Sequence, residues 1–158
     1  MQKEQILDFN RRLSQCNRGE LVVITYDIFF AYVEDAKEAL ASKDHDAFKT
    51  AIHKAQAALG RLIATLDFQY EIAGRLYALY QFSNRELSRA LYENRPEGLE
   101  EAEKILKKLY IGFVEAARQD TSGPLMSNAQ QVVAGITYGR GELVENFTGN
   151  SYNRGFFA

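Results

Sequence analysis

Tryptophan is absent from this chain of 158 residues, cysteine occurs once and proline twice. A lone Cys16 cannot close an internal disulfide, which fits a reducing compartment. The net charge is only −2 and there is no long basic run, so the composition speaks against a nucleic-acid partner. No apolar stretch approaches the ~18 residues of a membrane span, and MQKEQILDFNRRL at the start lacks the apolar core of a signal peptide. Catalytic patterns are missing too. There is no HExxH, no CxxC and no glycine-rich phosphate loop. His45 and His53 stand eight residues apart and read as surface histidines, and Cys16 has no activating neighbour in sequence. Glu100, Glu101 and Glu103 read as a solvated helical surface. The expectation is a protein without enzymatic activity, metal or cofactor.

What the chain does contain is helical periodicity. Its apolar fraction is 46 % and its charged fraction 25 %, the profile of a soluble globular protein. The stretch around which the rest is organised is Glu71 to Glu93. In it Ile72, Leu76, Leu79, Ser83, Leu87 and Ala90 recur at spacings of three and four. A second row, Ala73, Tyr77, Tyr80, Asn84, Leu87 and Leu91, widens this into more apolar surface than a narrow helix seam needs.

Three more long helices follow from the same reasoning. Glu20 to Leu40 carries two stripes, one through Leu21, Ile24, Ile28 and Tyr32, the other through Val22, Tyr26, Phe29, Val33, Ala36 and Leu40. Asn17 or Ser14 caps it, and Gly19 sits in the break before it. Asp44 or Asp46 caps the next helix, which runs to about Leu66 through Phe48, Ile52, Ala55, Leu59 and Leu62. Pro96 suits the first turn of the last one, whose buried face is Leu99, Ala102, Leu106, Leu109, Tyr110, Phe113 and Ala117. A short helix over Lys3–Leu13 precedes them all. It is marginal alone, so Ile6, Phe9 and Leu13 need a surface to lie on. The predicted fold is all-α: an antiparallel up-down four-helix bundle with a short N-terminal helix and a glycine-rich C-terminal tail.

Composition changes after Asp120. The last 38 residues hold six of the eleven glycines and only four charged residues. Yet Val132, Val133, Ile136, Tyr138, Leu143, Phe147, Phe156 and Phe157 make this stretch too apolar for a linker. The division is therefore 1–120, bundle with N-terminal segment, and 121–158, an extension that packs in cis or in trans, self-association included.

Several polar and aromatic positions carry two readings. Tyr26, Tyr77, Tyr80 and Tyr110 each combine a large apolar body with a hydroxyl, and serve either core packing or a groove that receives a helix. Asp27 is either the wet edge of its helix or a partner for Asn84 or for a bound chain's backbone. The Asn84 amide either bridges two helices or bonds a bound peptide.

These same residues resemble the FliS family of flagellar export chaperones over roughly Gly19 to Arg118. The likeness is carried by GELVVITYD near the start of the first long helix and by LDFQYEIAGRLYALYQFSNRELSRAL across the next break and the third. Leu21, Tyr26 and Asp27 fall on the family's Leu–Tyr–Asp pattern, and Ile72, Leu76, Leu79, Tyr80, Asn84, Arg85 and Leu87 on its third-helix pattern. The resemblance implies a cytosolic four-helix bundle that binds the C-terminal segment of flagellin, blocks its premature polymerisation and helps present it to the flagellar export machinery. It also implies that the N-terminal segment covers part of the binding surface when client is absent. The long ending departs from the compact family form.

The expected client-binding residues are Leu21, Tyr26, Asp27, Ile72, Leu76, Tyr77, Tyr80, Asn84 and Leu87, and the candidate groove cover is Ile6, Phe9, Leu13, Val132, Val133, Ile136 and Tyr138. The competing reading is a structural or oligomerising helical bundle without a flagellin client.

Overall fold

Of the two caps proposed for the first long helix, Asn17 is the one used. Its side chain accepts the Glu20 N–H at 2.8 Å, and the Glu20 carboxylate accepts the Asn17 N–H at 2.9 Å. This reciprocal box satisfies donors that every helix start leaves open. The computed structural model describes residues 1–126, and in them the regular structure is five helices: α1 (Lys3–Gln15), α2 (Arg18–Ala41), α3 (His45–Ala64), α4 (Glu71–Glu93) and α5 (Glu97–Gln119). They belong to a compact unit, Met1–Leu125. The connections are short, as the polar breaks in the sequence imply.

The protein is all-α. Helix α2 packs on α3 and α5, α4 packs on the same two, and α1 lies on α2. The core is where these faces meet: Tyr26, Phe29 and Val33 from α2, Phe48, Ile52, Leu59 and Leu62 from α3, Tyr80 and Leu87 from α4, Leu99 and Leu106 from α5. Each large side chain enclosed in this way contributes about 1.5–3 kcal/mol before ordering costs. Helices α4 and α5 come close together at Gly98. A Cβ added to Gly98 would fall 2.2 Å from the Glu86 carbonyl oxygen and 3.0 Å from the Ala90 Cβ, so only glycine lets the two backbones meet there. The turn before it is set by Asn94, which adopts a left-handed φ of 55° and closes α4 with its N–H on the Ala90 carbonyl.

Boundaries differ from expectation in instructive ways. Helix α1 continues to Gln15, so the break before α2 shrinks to Cys16 and Asn17, and Gly19 lies inside α2. There a Cβ would sit 3.0 Å from the Ala117 Cα, so glycine serves a close approach to α5 rather than a turn. Helix α3 stops at Ala64, and at its C-cap the Thr65 hydroxyl donates to the Leu62 carbonyl at 2.7 Å. Pro96 immediately precedes α5 instead of occupying its first turn. Glu103 is not simply solvated. It is half-buried between the ammonium groups of Lys37 (2.7 Å) and Lys107 (2.6 Å). Burial alone would push its carboxyl up, but the two ammoniums hold it below the usual carboxylate range. Among the described residues no helix is long and apolar enough to cross a membrane.

Candidate functional site

Helix α4 is built as one face and used as two. Its row Ser83, Leu87 and Ala90 is sealed in the core. The same row one to three turns earlier is open: Leu79 is 37 % exposed, Leu76 is half-buried and Ile72 is 64 % exposed. Helix α5 repeats the pattern in reverse. Leu99, Ala102 and Leu106 are enclosed, whereas Leu109, Tyr110, Phe113 and Ala117 further along are only half-buried. In α5 the expected face is enclosed at one end and half-buried at the other, whereas in the first half of α4 the buried face runs through Ala73 and Tyr80 and leaves Ile72 and Leu79 exposed beside it. Tyr26 of α2 touches both open halves, with ring centroids 6.4 Å from Tyr80 and 5.4 Å from Phe113. At the start of α4 the rim gains Phe68 and Tyr70, both exposed, with Phe68 edge-on to Tyr77 at 5.9 Å.

Beneath this face lies an aromatic floor. Tyr26 stacks on Phe30 (6.3 Å) and meets Tyr110 edge-on (5.9 Å), and Phe30 is perpendicular to Tyr110 at 5.5 Å. The two buried hydroxyls of Tyr26 and Tyr80 satisfy each other at 2.7 Å. Burial, and then this bond, push the Tyr26 phenol well above its ordinary range; burial also raises Tyr80. Both hydroxyls are therefore neutral hydrogen-bonding groups and not bases. Tyr110 donates to Asp27 Oδ1 at 2.8 Å, and burial followed by the negative Asp27 raises its phenol too.

The expected client residues separate into three groups. Ile72 and Tyr77 are exposed on the open face, with Leu76 half-buried between them in sequence. Tyr26, Tyr80 and Leu87 are 0–1 % exposed, so they form floor and core and present no side chain to a partner. Their helical period was read correctly; which of two apolar rows faces outward depends on packing across helices. Leu21, Asp27 and Asn84 are half-buried. Asp27 corrects the sequence reading most clearly. Its partners are not Asn84 but Tyr110 and Arg12, the latter at 2.5 Å, while its side chain stays partly open to solvent, as a residue at the edge of the helix would. Sequence reasoning passed over Phe68, Tyr70 and Arg12. Two aromatics inside a short connection were the available signal for the first two; Arg12 offered none.

Arg12 belongs to α1, and through Asp27 it ties that helix to α2. Helix α1 has no buried residue of its own. Ile6, Phe9 and Leu13 face Ile28 and Tyr32 of α2 and Ala57 and Ala58 of α3 across a cavity of about 220 Å³. The apolar residues of α1 do find a surface, but a loosely filled one. Val132, Val133, Ile136 and Tyr138, the other candidate cover residues, lie outside the described residues.

Among the described residues no group of three or more His, Cys, Asp or Glu could hold a metal ion. The described residues form an all-α framework with an exposed apolar helical face above an aromatic floor. The family model described as Flagellar protein FliS matches residues 2–120, about three-quarters of the chain. The chain belongs to the FliS family, and with it to proteins that serve as chaperones in flagellar export and are not enzymes. None of the individually curated proteins compared with the chain matches it.

Proposed function

We propose that this protein is a cytoplasmic chaperone that takes the C-terminal segment of flagellin onto the open face of α4 and α5, prevents premature polymerisation and delivers the subunit to the export machinery. In this reading residues 1–120 are an antiparallel up-down four-helix bundle carrying α1, and 121–158 are an extension. The short connections, and the pairing of each long helix with two others, support that architecture. The carrying observation is Ile72: a core-period position on the organising helix that is nonetheless 64 % exposed. An amphipathic client helix would seat its own apolar stripe on Ile72, Leu76, Tyr77 and Leu79, with the half-buried Tyr110 and Phe113 beside them. Tyr26, Tyr80 and Leu87 act by shaping the floor. Asp27 and Asn84 offer polar groups near the face, and Leu21 belongs to the half-buried wall of α2.

Helix α1 packs on α2, and only its last turn, at Arg12 and Gln15, borders α5; it leaves Ile72, Tyr77 and Leu79 of α4 exposed, so as a cover it reaches only the α5 edge of the site. Titration of the purified protein with the flagellin C-terminal segment tests the function. Saturable binding, with amide protection gained at Ile72–Leu79 and Leu109–Ala117, is the expected result. Absence of binding, together with self-association in light scattering, favours an oligomerising bundle without a flagellin client.

A further inference from the structure

The break between α1 and α2 is only two residues long, and it is held from a distance. The Asn17 side-chain amide, already used through its oxygen as the cap of α2, donates to the carbonyls of Asp120 at 3.3 Å and Ser122 at 3.4 Å. The Gly19 N–H donates to Asp120 Oδ2 at 3.1 Å, and the Leu125 N–H donates to the Cys16 carbonyl at 2.9 Å. Four hydrogen bonds thus join the pivot of α1 to the stretch that leaves α5, across more than 100 residues of chain. Asn17 and Cys16 are both buried by this arrangement. Gly19 is what permits it, since a side chain there would press on Ala117 and Asp120. Hydrogen bonds from Ser122 and from Gly19 also hold the Asp120 carboxyl below its usual range, so it remains an ionised acceptor.

We propose that Asp120–Leu125 is a clasp on the pivot of α1, so that lifting of α1 from α2 and release of Asp120–Leu125 are linked. The motion of α1 needs new backbone angles at Cys16 and Asn17, the residues the clasp holds. The second tether, Arg12 on Asp27, lies one turn further into α1. Linkage is reciprocal: whatever loosens one tether lowers the free energy of opening the other. This bears on the proposed client site only at its α5 edge, where the last turn of α1 lies, and the clasp needs no client and is tested without one.

Amide hydrogen exchange on the full-length chain is the test. Asn17→Ser keeps a good helix cap and deletes only the amide donor. It is expected to speed exchange of the Ile6–Leu13 amides by about fivefold, leaving α3 and α4 unchanged. Asp120→Ala, which removes the acceptor for Gly19, gives the same pattern through the opposite partner. In the reverse direction Arg12→Ala is expected to speed exchange of the single Leu125 amide. Unchanged α1 exchange in both clasp variants overturns the proposal. So does equal acceleration of all five helices, an Arg12→Ala variant with an unaltered Leu125 amide, or α1 amides that are already unprotected in the unmodified protein.

Discussion

The hydroxyl of Tyr26 lies 2.7 Å from the hydroxyl of Tyr80, joining α2 to α4 across 54 residues of chain in a place without solvent. Two polar atoms enter the core here because each is the other's partner. The pair sits beneath the open face and anchors α4, which carries part of that face, to α2. Its cost of disruption is asymmetric. Tyr80→Phe leaves the Tyr26 hydroxyl buried and unpaired and is expected to destabilise the protein by about 1–3 kcal/mol, whereas replacing both tyrosines with phenylalanine costs less than the two single changes added together. Urea unfolding of the three variants measures this, and strictly additive values would show that the hydroxyls do not act as a pair.

Alkaline pH probes the same pair. Burial raises both phenols above the ordinary tyrosine value of 10.0. In the unfolded chain they lose their protons near that value, while in the folded protein they keep them. Stability is therefore unaffected below about pH 10 and falls as pH rises beyond it, since the unfolded state then binds fewer protons than the native state. Unfolding free energy followed against pH, with tyrosinate absorbance as a second readout, is expected to decline less steeply in the double phenylalanine variant. An identical slope would contradict the assignment.

Gly98 makes a sharper structural prediction. The approach of α5 to the Glu86 carbonyl leaves no room for a methyl group. Gly98→Ala would ordinarily favour a helix, yet here it is expected to cost about 1–3 kcal/mol because backbone must move. A thermal midpoint equal to or above that of the unmodified protein would show that α4 and α5 separate easily.

The particular residues show how far the sequence could lead. Helix α4 was legible to its ends because the apolar period, the Asn94 stop and the polar break before Glu71 all agree. The cap at Asn17 was legible because it is local. The partners of Asp27 were not: Arg12 lies 15 residues away and Tyr110 lies 83 away, and no periodicity links them. Nor could the pattern tell that Ile72 is open while Leu87, on the same row, is sealed. That difference comes from where α5 and α3 close over α4, a property of three helices rather than of one. Wide apolar surface on α4 announced that something more than a core was present, but only packing shows which half of it is left over.

The central claim is that this leftover half receives the client, and Ile72 and Tyr77 allow it to be tested without disturbing the core. Neither is in the core, so Ile72→Asp combined with Tyr77→Ser is expected to leave the protein folded, with the urea midpoint lowered only by the lost contacts of Tyr77 with Phe68 and Gln81. Calorimetric titration with the flagellin C-terminal segment should then show affinity weakened by at least about tenfold relative to the unmodified protein. Full affinity in a correctly folded double variant would contradict the account and place the client elsewhere on the molecule.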